Sequence, residues 1–261
     1  MTITLKGNFI YVLIVVLVFV LLQKVVDSLS IFDLGFDDLL ILEFVNKSIK
    51  NIIVITIALF AYSKLRHHSI DTYAYIKVNN ISTLLILIIL SMALFYSITI
   101  KAQNVSYELI SYYLVHCFLT GVAEELVFRG LIQSKLVTDY GKMKGVLVSA
   151  MIFGLLHFMN LVKDPDNLNG IFNQVIFAFS IGFVFAGLVL KLKNVMLVGI
   201  FHGIINFTLN FNKIMPETYT DNTMGNENEL ISVIFTYFMF FIIAMVGFLL
   251  VKSEEVKENS T

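Results

Sequence analysis

Gly121-Val-Ala-Glu-Glu-Leu-Val-Phe-Arg-Gly130 places two carboxylates and a guanidinium in a segment otherwise apolar enough to cross a bilayer. Ionised side chains at membrane depth are costly, so they are found there with partners and a task. Two other apolar segments carry matching polar insertions, Phe153-Gly-Leu-Leu-His157 and His202-Gly-Ile-Ile-Asn206. Polar groups of these kinds on three membrane helices read as an intramembrane active site.

The surrounding composition agrees. Of 261 residues, 58% are hydrophobic and 14% charged, against roughly 45–50% and about 25% in soluble domains. The apolar residues fall into eight blocks, near 7–27, 43–63, 81–101, 107–135, 143–162, 171–191, 195–212 and 230–251. Each is close to the ~20 residues that cross a ~30 Å hydrocarbon core. The expected fold is an all-α polytopic membrane protein, a bundle of about eight transmembrane helices with a polar intramembrane cavity. No repeat or low-complexity linker divides the chain. Residues 1–261 therefore read as a single membrane domain, with 107–212 as the core that carries the motifs and 1–106 and 213–261 as accessory helices, loops and tail.

Several details refine that picture. Asn46, Lys47, Lys50 and Asn51 interrupt the start of the second block and leave its limits loosely defined. The fourth block is longer than a span needs, so it has to tilt or extend beyond the membrane. A net charge of −1 argues against nucleic acid as a partner, since those domains concentrate basic residues on one face. Cys117, the single cysteine, forms no internal disulfide and sits in an apolar helical setting that suits packing. Pro165 and Pro216 fall in expected loops. No small-residue cleavage site follows the first apolar run, which reads as a retained span.

Orientation follows from lysine and arginine in the connections. Placing both ends in the cytoplasm puts eleven basic residues inside (Lys6, Lys64, Arg66, Lys77, Lys135, Lys142, Lys144, Lys191, Lys193, Lys252 and Lys257). Six remain outside: Lys24, Lys47, Lys50, Lys101, Lys163 and Lys213. The bias favours both ends inside, and an even number of spans agrees with it. The loops 27–43 and 213–229 are acidic, while His67 and His68 follow Arg66 in a connection and read as solvated.

Spacing within the motifs is informative. Residues four apart share a helix face, so Glu125 and Arg129 can pair, which makes both tolerable at low dielectric. Glu124 is turned away by about 100° and must face another helix, free to be the working carboxylate. His202 and Asn206 are four apart and aim at one point; Phe153 and His157 repeat the spacing. Gly121, Gly130, Gly154, Gly199 and Gly203 would let helix backbones approach closely. A glutamate in a mostly dry cavity suits general-base chemistry on water, while an imidazole and a carboxamide can donate to a developing oxyanion. No serine or cysteine is placed as a nucleophile; Cys117 lies about two turns before Glu124 with no histidine spaced to activate it. His116, also about two turns before Glu124, reads as a core or cavity-lining residue.

Glu124-Glu125-x-x-x-Arg129, Phe153-x-x-x-His157 and His202-x-x-x-Asn206 together resemble the three motifs of the CPBP family, the CAAX proteases and bacteriocin-processing enzymes also called Abi. The resemblance runs from Glu124 to Asn206 in the family's order. It implies that Glu124 with His157 activates the hydrolytic water, that His202 and Asn206 form the oxyanion hole, and that Glu125 with Arg129 is a supporting pair. It also implies a fold of eight helices with a cavity open to the cytosol, and a membrane-associated peptide or protein as substrate. Abundant Ile, Asn and Lys with no Trp points to an AT-rich bacterial genome. The expectation is thus a multi-pass protein of a bacterial plasma membrane, acting in peptide (bacteriocin or pheromone) maturation or self-immunity.

The family is often named as metalloproteases, and Glu124, His157 and His202 are the alternative ligand set for zinc. Asn206, four residues from His202, makes better sense as a hydrogen-bond donor than beside a zinc ligand. The expected chemistry is therefore metal-free, with no cofactor. Two other functions compete: a catalytically silent scaffold or immunity protein with the same fold, and a transporter. Neither inverted repeats nor interrupted helices in matching positions favour the transporter.

Overall fold

A computed structural model describes residues 2–28, 39–65, 81–99, 105–215 and 229–259. The described residues are almost wholly helical, and the molecule is an all-α polytopic membrane protein. His67, His68, Pro216 and most of the acidic stretch 213–229 lie outside the described residues.

Helix α1 covers Thr2–Ser28, α2 Leu39–Leu65 and α3 Ile81–Thr99. Helix α2 is continuous through Asn46, Lys47, Lys50 and Asn51; these residues turn toward the bundle interior instead of ending the helix. The fourth rod runs unbroken from 107 to 140 but is not one α-helix. Helix α4, Tyr107–Glu125, passes into a π-helical stretch, Leu126–Gln133, and then into α5, Ser134–Tyr140. A wide π turn needs support for its displaced carbonyls. Here Ser149 Oγ donates to the Phe128 carbonyl at 3.0 Å and Ser134 Oγ to that of Gly130. Gly141, at φ 83°, makes the reversal that L side chains resist. Helix α6 follows at Lys142–Leu156, closed by a 3-10 turn, His157–Val162. Helices α7, Leu168–Leu192, and α8, Val195–Leu209, come next, with a 3-10 turn at Phe211–Ile214, and α9 spans Glu229–Asn259. Ser106, Asn167 and Asn194 cap α4, α7 and α8, each side chain accepting a first-turn N–H.

Five of these helices are long and apolar enough to cross a membrane, and two shorter apolar helices, Ile10–Leu22 and Val195–Leu209, accompany them. Helix α8, at 15 residues, is about 22 Å long, short of the ~30 Å core. Helix α6 also has 15 residues before its 3-10 turn. Both end on the side where the cavity described below opens.

Helix α8 packs on α4 through backbone. A Cβ on Gly121 would overlap the Gly199 carbonyl oxygen and lie 2.5 Å from Gly203 N. Gly154 likewise lets α6 close on α7, where a Cβ would meet Phe179 Cβ at 2.9 Å. Gly130 differs from the expectation: a Cβ there would meet nothing within 4 Å, so its place in the π stretch does not serve a helix contact.

The two ends of the chain share one side. Lys142 Nζ donates to the Glu254 carbonyl at 2.8 Å and Met143 N–H to Glu255 Oε1 at 2.9 Å, fixing the end of α9 beside the α5–α6 turn. Tyr11 of α1 reaches the Leu131 carbonyl at 3.5 Å, and Phe19 lies edge-on to Phe128 with centroids 5.5 Å apart. Helix α1 therefore starts on that side and runs toward the other.

Candidate active site

Glu124 and Glu125, the last residues of α4, point apart. Glu125 is fully buried; its Oε2 lies 3.0 Å from Arg129 Nε, as the four-residue spacing requires. Its Oε1 lies 3.1 Å from His202 Nδ1 on α8. Glu124 keeps 23% of its side chain exposed, and its Oε2 faces His202 Nε2 at 3.7 Å. One imidazole thus stands between the two carboxylates. A carboxylate only accepts, so Nδ1–H of His202 donates to Glu125. The sequence leaves this bridge unseen, because nothing in either motif says that residues 125 and 202 meet.

Phe153 organises the next layer. Its buried ring lies edge-on to His157 (5.2 Å between centroids), to His202 (6.0 Å) and to Phe128 (5.0 Å). The Arg129 guanidinium sits over the same ring, 4.9 Å from its centroid. Arg129 Nη1 and Nη2 find no acceptor among the described residues, so the ring face and the Glu125 carboxylate are what support this fully buried cation. Gly182 leaves the room: a Cβ there would lie 2.8 Å from Phe153 Cδ1 and 3.1 Å from Arg129 Nη2. Phe185 of α7 packs on the other side of His202, with centroids 4.7 Å apart. Phe185 is absent from the sequence expectation because one phenylalanine in an apolar helix carries no distinguishing signal.

His157 opens the 3-10 turn after α6, and its Nδ1 lies 3.0 Å from the Phe153 carbonyl oxygen. A carbonyl only accepts, so Nδ1 carries the hydrogen and Nε2 is left as an acceptor. Glu124, His157, His202 and Asn206 line one cavity of about 450 Å³. Glu125 and Arg129 lie behind it, fully buried. Asn51, whose Nδ2 donates to Thr120 Oγ1 at 2.8 Å, Asn160, Gln174 and Asn210 add polar groups to the wall. His116 also lines it, stacked on Phe44 with centroids 5.5 Å apart, and Cys117 is buried beside it.

The cavity opens among Lys24, Lys47, Lys163 and Lys213, with Lys50 buried in its wall. All five belong to the six lysines that the charge bias assigns to the side opposite the chain ends. Two expectations therefore collide. A cavity open to the cytosol and chain ends in the cytosol cannot both hold in this fold.

The residues present do not fit a zinc ion. Among the described residues no three His, Cys, Asp or Glu side chains gather closely enough to hold one. His202 and His157 each engage an acceptor through Nδ1, the Glu125 carboxylate and a backbone carbonyl, which leaves Nε2 as the second ring nitrogen of each.

No curated protein and no solved structure matches the chain. One family model does, over residues 106–208, described as Type II CAAX prenyl endopeptidase Rce1-like. That span begins at the cap of α4, ends one residue before the close of α8 and contains all three motifs. Residues 106–208, which carry all three motifs, match the Rce1-like family model, in line with the CAAX-protease resemblance carried by Glu124, His157 and His202.

Proposed function

We propose that the protein is an intramembrane endopeptidase that hydrolyses a peptide bond of a membrane-associated peptide or protein with a glutamate-activated water. One observation carries this reading. Of the paired carboxylates, Glu124 alone reaches the cavity, where it stands 3.7 Å from His202 Nε2 and shares the lining with His157.

The chemistry follows from those positions. Glu124 takes a proton from a water whose orientation is set by Nε2 of His157. The hydroxide adds to the carbonyl carbon of the substrate. The Asn206 amide donates to the resulting oxyanion, as does Nε2–H of protonated His202. Collapse of the intermediate breaks the C–N bond, and the proton on Glu124 passes to the leaving amine. No step needs a metal.

The cellular setting we infer is a bacterial plasma membrane with both ends cytoplasmic, and the role peptide maturation or self-immunity. In that orientation the cavity opens to the outer face, so the substrate arrives from outside or laterally from the bilayer. The test is mass spectrometry of peptides incubated with purified protein in lipid nanodiscs. Intact protein should cleave where Glu124→Ala, His157→Ala and His202→Ala, at equal folded yield, do not. Equal cleavage by all three variants would exclude the mechanism. Absence of cleavage by any form, with binding retained, would favour a silent scaffold.

A further inference from the structure

Asn51 brings a neutral polar group to the cavity from outside residues 106–208. It lies on α2, is 3% exposed, and lines the same cavity as Glu124. Its Nδ2 donates to Thr120 Oγ1 at 2.8 Å, and Thr120 Oγ1 donates in turn to the His116 carbonyl at 2.9 Å. A hydroxyl has one hydrogen. With that hydrogen spent on His116, Thr120 can only accept from Asn51, so the carboxamide cannot turn over. Oδ1 is thereby held as an acceptor, and among the described residues only the Nδ2 end of this amide is bonded. A tie between two helices is complete with the Nδ2 bond and gives Oδ1 nothing to do.

The height of that acceptor follows from α4, on which both α2 and α8 pack. Thr120 is one turn mouthward of Glu124, about 6 Å along the axis. On α8, His202 faces Glu124, while Gly203 lies against Cys117 and Phe118. Asn206, three residues further along this antiparallel helix, is therefore level with about His116. Asn51 thus stands at a height between His202 and Asn206, the two donors of the proposed mechanism, and offers the opposite polarity. A peptide strand has a use for both. Its scissile carbonyl takes the donors, and within about two extended residues, roughly 6–7 Å, it carries further N–H groups. Those groups leave water on entering the cavity, and an N–H buried without an acceptor is costly.

We propose that Asn51 Oδ1, locked by Thr120, accepts a backbone N–H of the substrate one or two residues from the scissile carbonyl and so positions the peptide for attack. The contact reads no side chain, but it excludes proline at the residue whose N–H is taken. This inference rests on the endopeptidase reading, because the height is counted from Glu124.

The test uses the full chain in phosphatidylcholine nanodiscs and a peptide from a proteome-derived library that is cleaved in a Glu124-dependent way. Each amide flanking the scissile bond is replaced in turn by an ester, which deletes one N–H and keeps the extended shape. Intact protein should lose roughly tenfold or more in kcat/KM at one ester position. Asn51→Ala should lose a similar factor on the all-amide peptide, then no more than about twofold further on that ester, because the contact is already gone. Thr120→Val frees the carboxamide and should shrink the ester penalty; Thr120→Ser, which keeps the hydroxyl, should restore it. That pair carries the same comparison where Asn51→Ala does not fold. Losses that multiply at every ester position overturn the inference and leave Asn51 as a tie between helices, with the endopeptidase standing. Cleavage by Asn51→Ala at the intact rate does the same. If no form cleaves any peptide, the endopeptidase reading fails, and retention of library peptides by the intact protein decides the rest. Affinity lost on one ester substitution, and insensitive to that ester in Asn51→Ala protein, supports the acceptor. Retention indifferent to the ester, or no retention, overturns it.

Discussion

The floor and the rim of the cavity handle charge in opposite ways. At the floor, Glu125 and Arg129 have no exposed surface, and each is held by a specific neighbour: a guanidinium, an imidazole, a ring face. At the rim, Lys47 and Glu43 form an ion pair whose side chains are 38% and 49% exposed. In a dry interior a charge that loses its partner is stranded, whereas at a wet rim water replaces the partner. The same residue types therefore fix geometry at the floor and bias encounter at the rim. If that contrast is right, the cost of substitution should fall steadily from floor to rim.

The steepest loss belongs to Arg129→Met, which leaves Glu125 as an unbalanced buried carboxylate. It should cost about 3–5 kcal/mol in unfolding measured in detergent or nanodiscs. Adding Glu125→Gln should recover part of that loss, because the two sites are coupled. An additive pair would break the account of the floor. Gly121→Ala is next: its Cβ would meet the backbone of Gly199 and Gly203. The α4–α8 separation must then grow, at about 1–3 kcal/mol, and cleavage should fall further than stability does because His202 leaves Glu124. Phe153→Leu keeps an apolar side chain of somewhat smaller volume but removes the ring that orients both imidazoles and supports Arg129. About 1 kcal/mol of stability should go, and a lower kcat should appear without a large change in KM. At the rim, Lys47→Gln should shift stability by less than about 1 kcal/mol. A rim variant as damaging as Arg129→Met would erase the distinction.

Much of the fold was legible because bilayers demand long apolar blocks. The expected spans and the helices correspond, and the Glu125–Arg129 pair followed from a four-residue spacing. Hydropathy did not show which spans are central. Helices α7 and α9 are both strongly apolar, yet their most apolar windows are 67% and 6% buried inside the bundle. A lipid-facing residue and a core residue look alike in sequence when lipid is the solvent. The π stretch Leu126–Gln133 was equally hidden, because its support comes from Ser149 on another helix. The His202 bridge between Glu125 and Glu124 joins residues about eighty positions apart, beyond the reach of local spacing. The lysines of the mouth were visible and sorted to one side, but their gathering around a cavity needs the fold of α1, α2 and the segments after α6 and α8. That gathering also exposed the conflict between a cytosol-facing cavity and cytoplasmic chain ends.

The central claim is that the Glu124 carboxylate, exposed to the cavity while its neighbour is sealed, activates the water. Glu124→Gln tests it most directly, since the amide keeps size and polarity but cannot take the proton. Single-turnover cleavage of a library-derived substrate in nanodiscs should slow by roughly 100- to 10,000-fold, with substrate binding retained. A variant that keeps more than about a tenth of the rate would contradict the account.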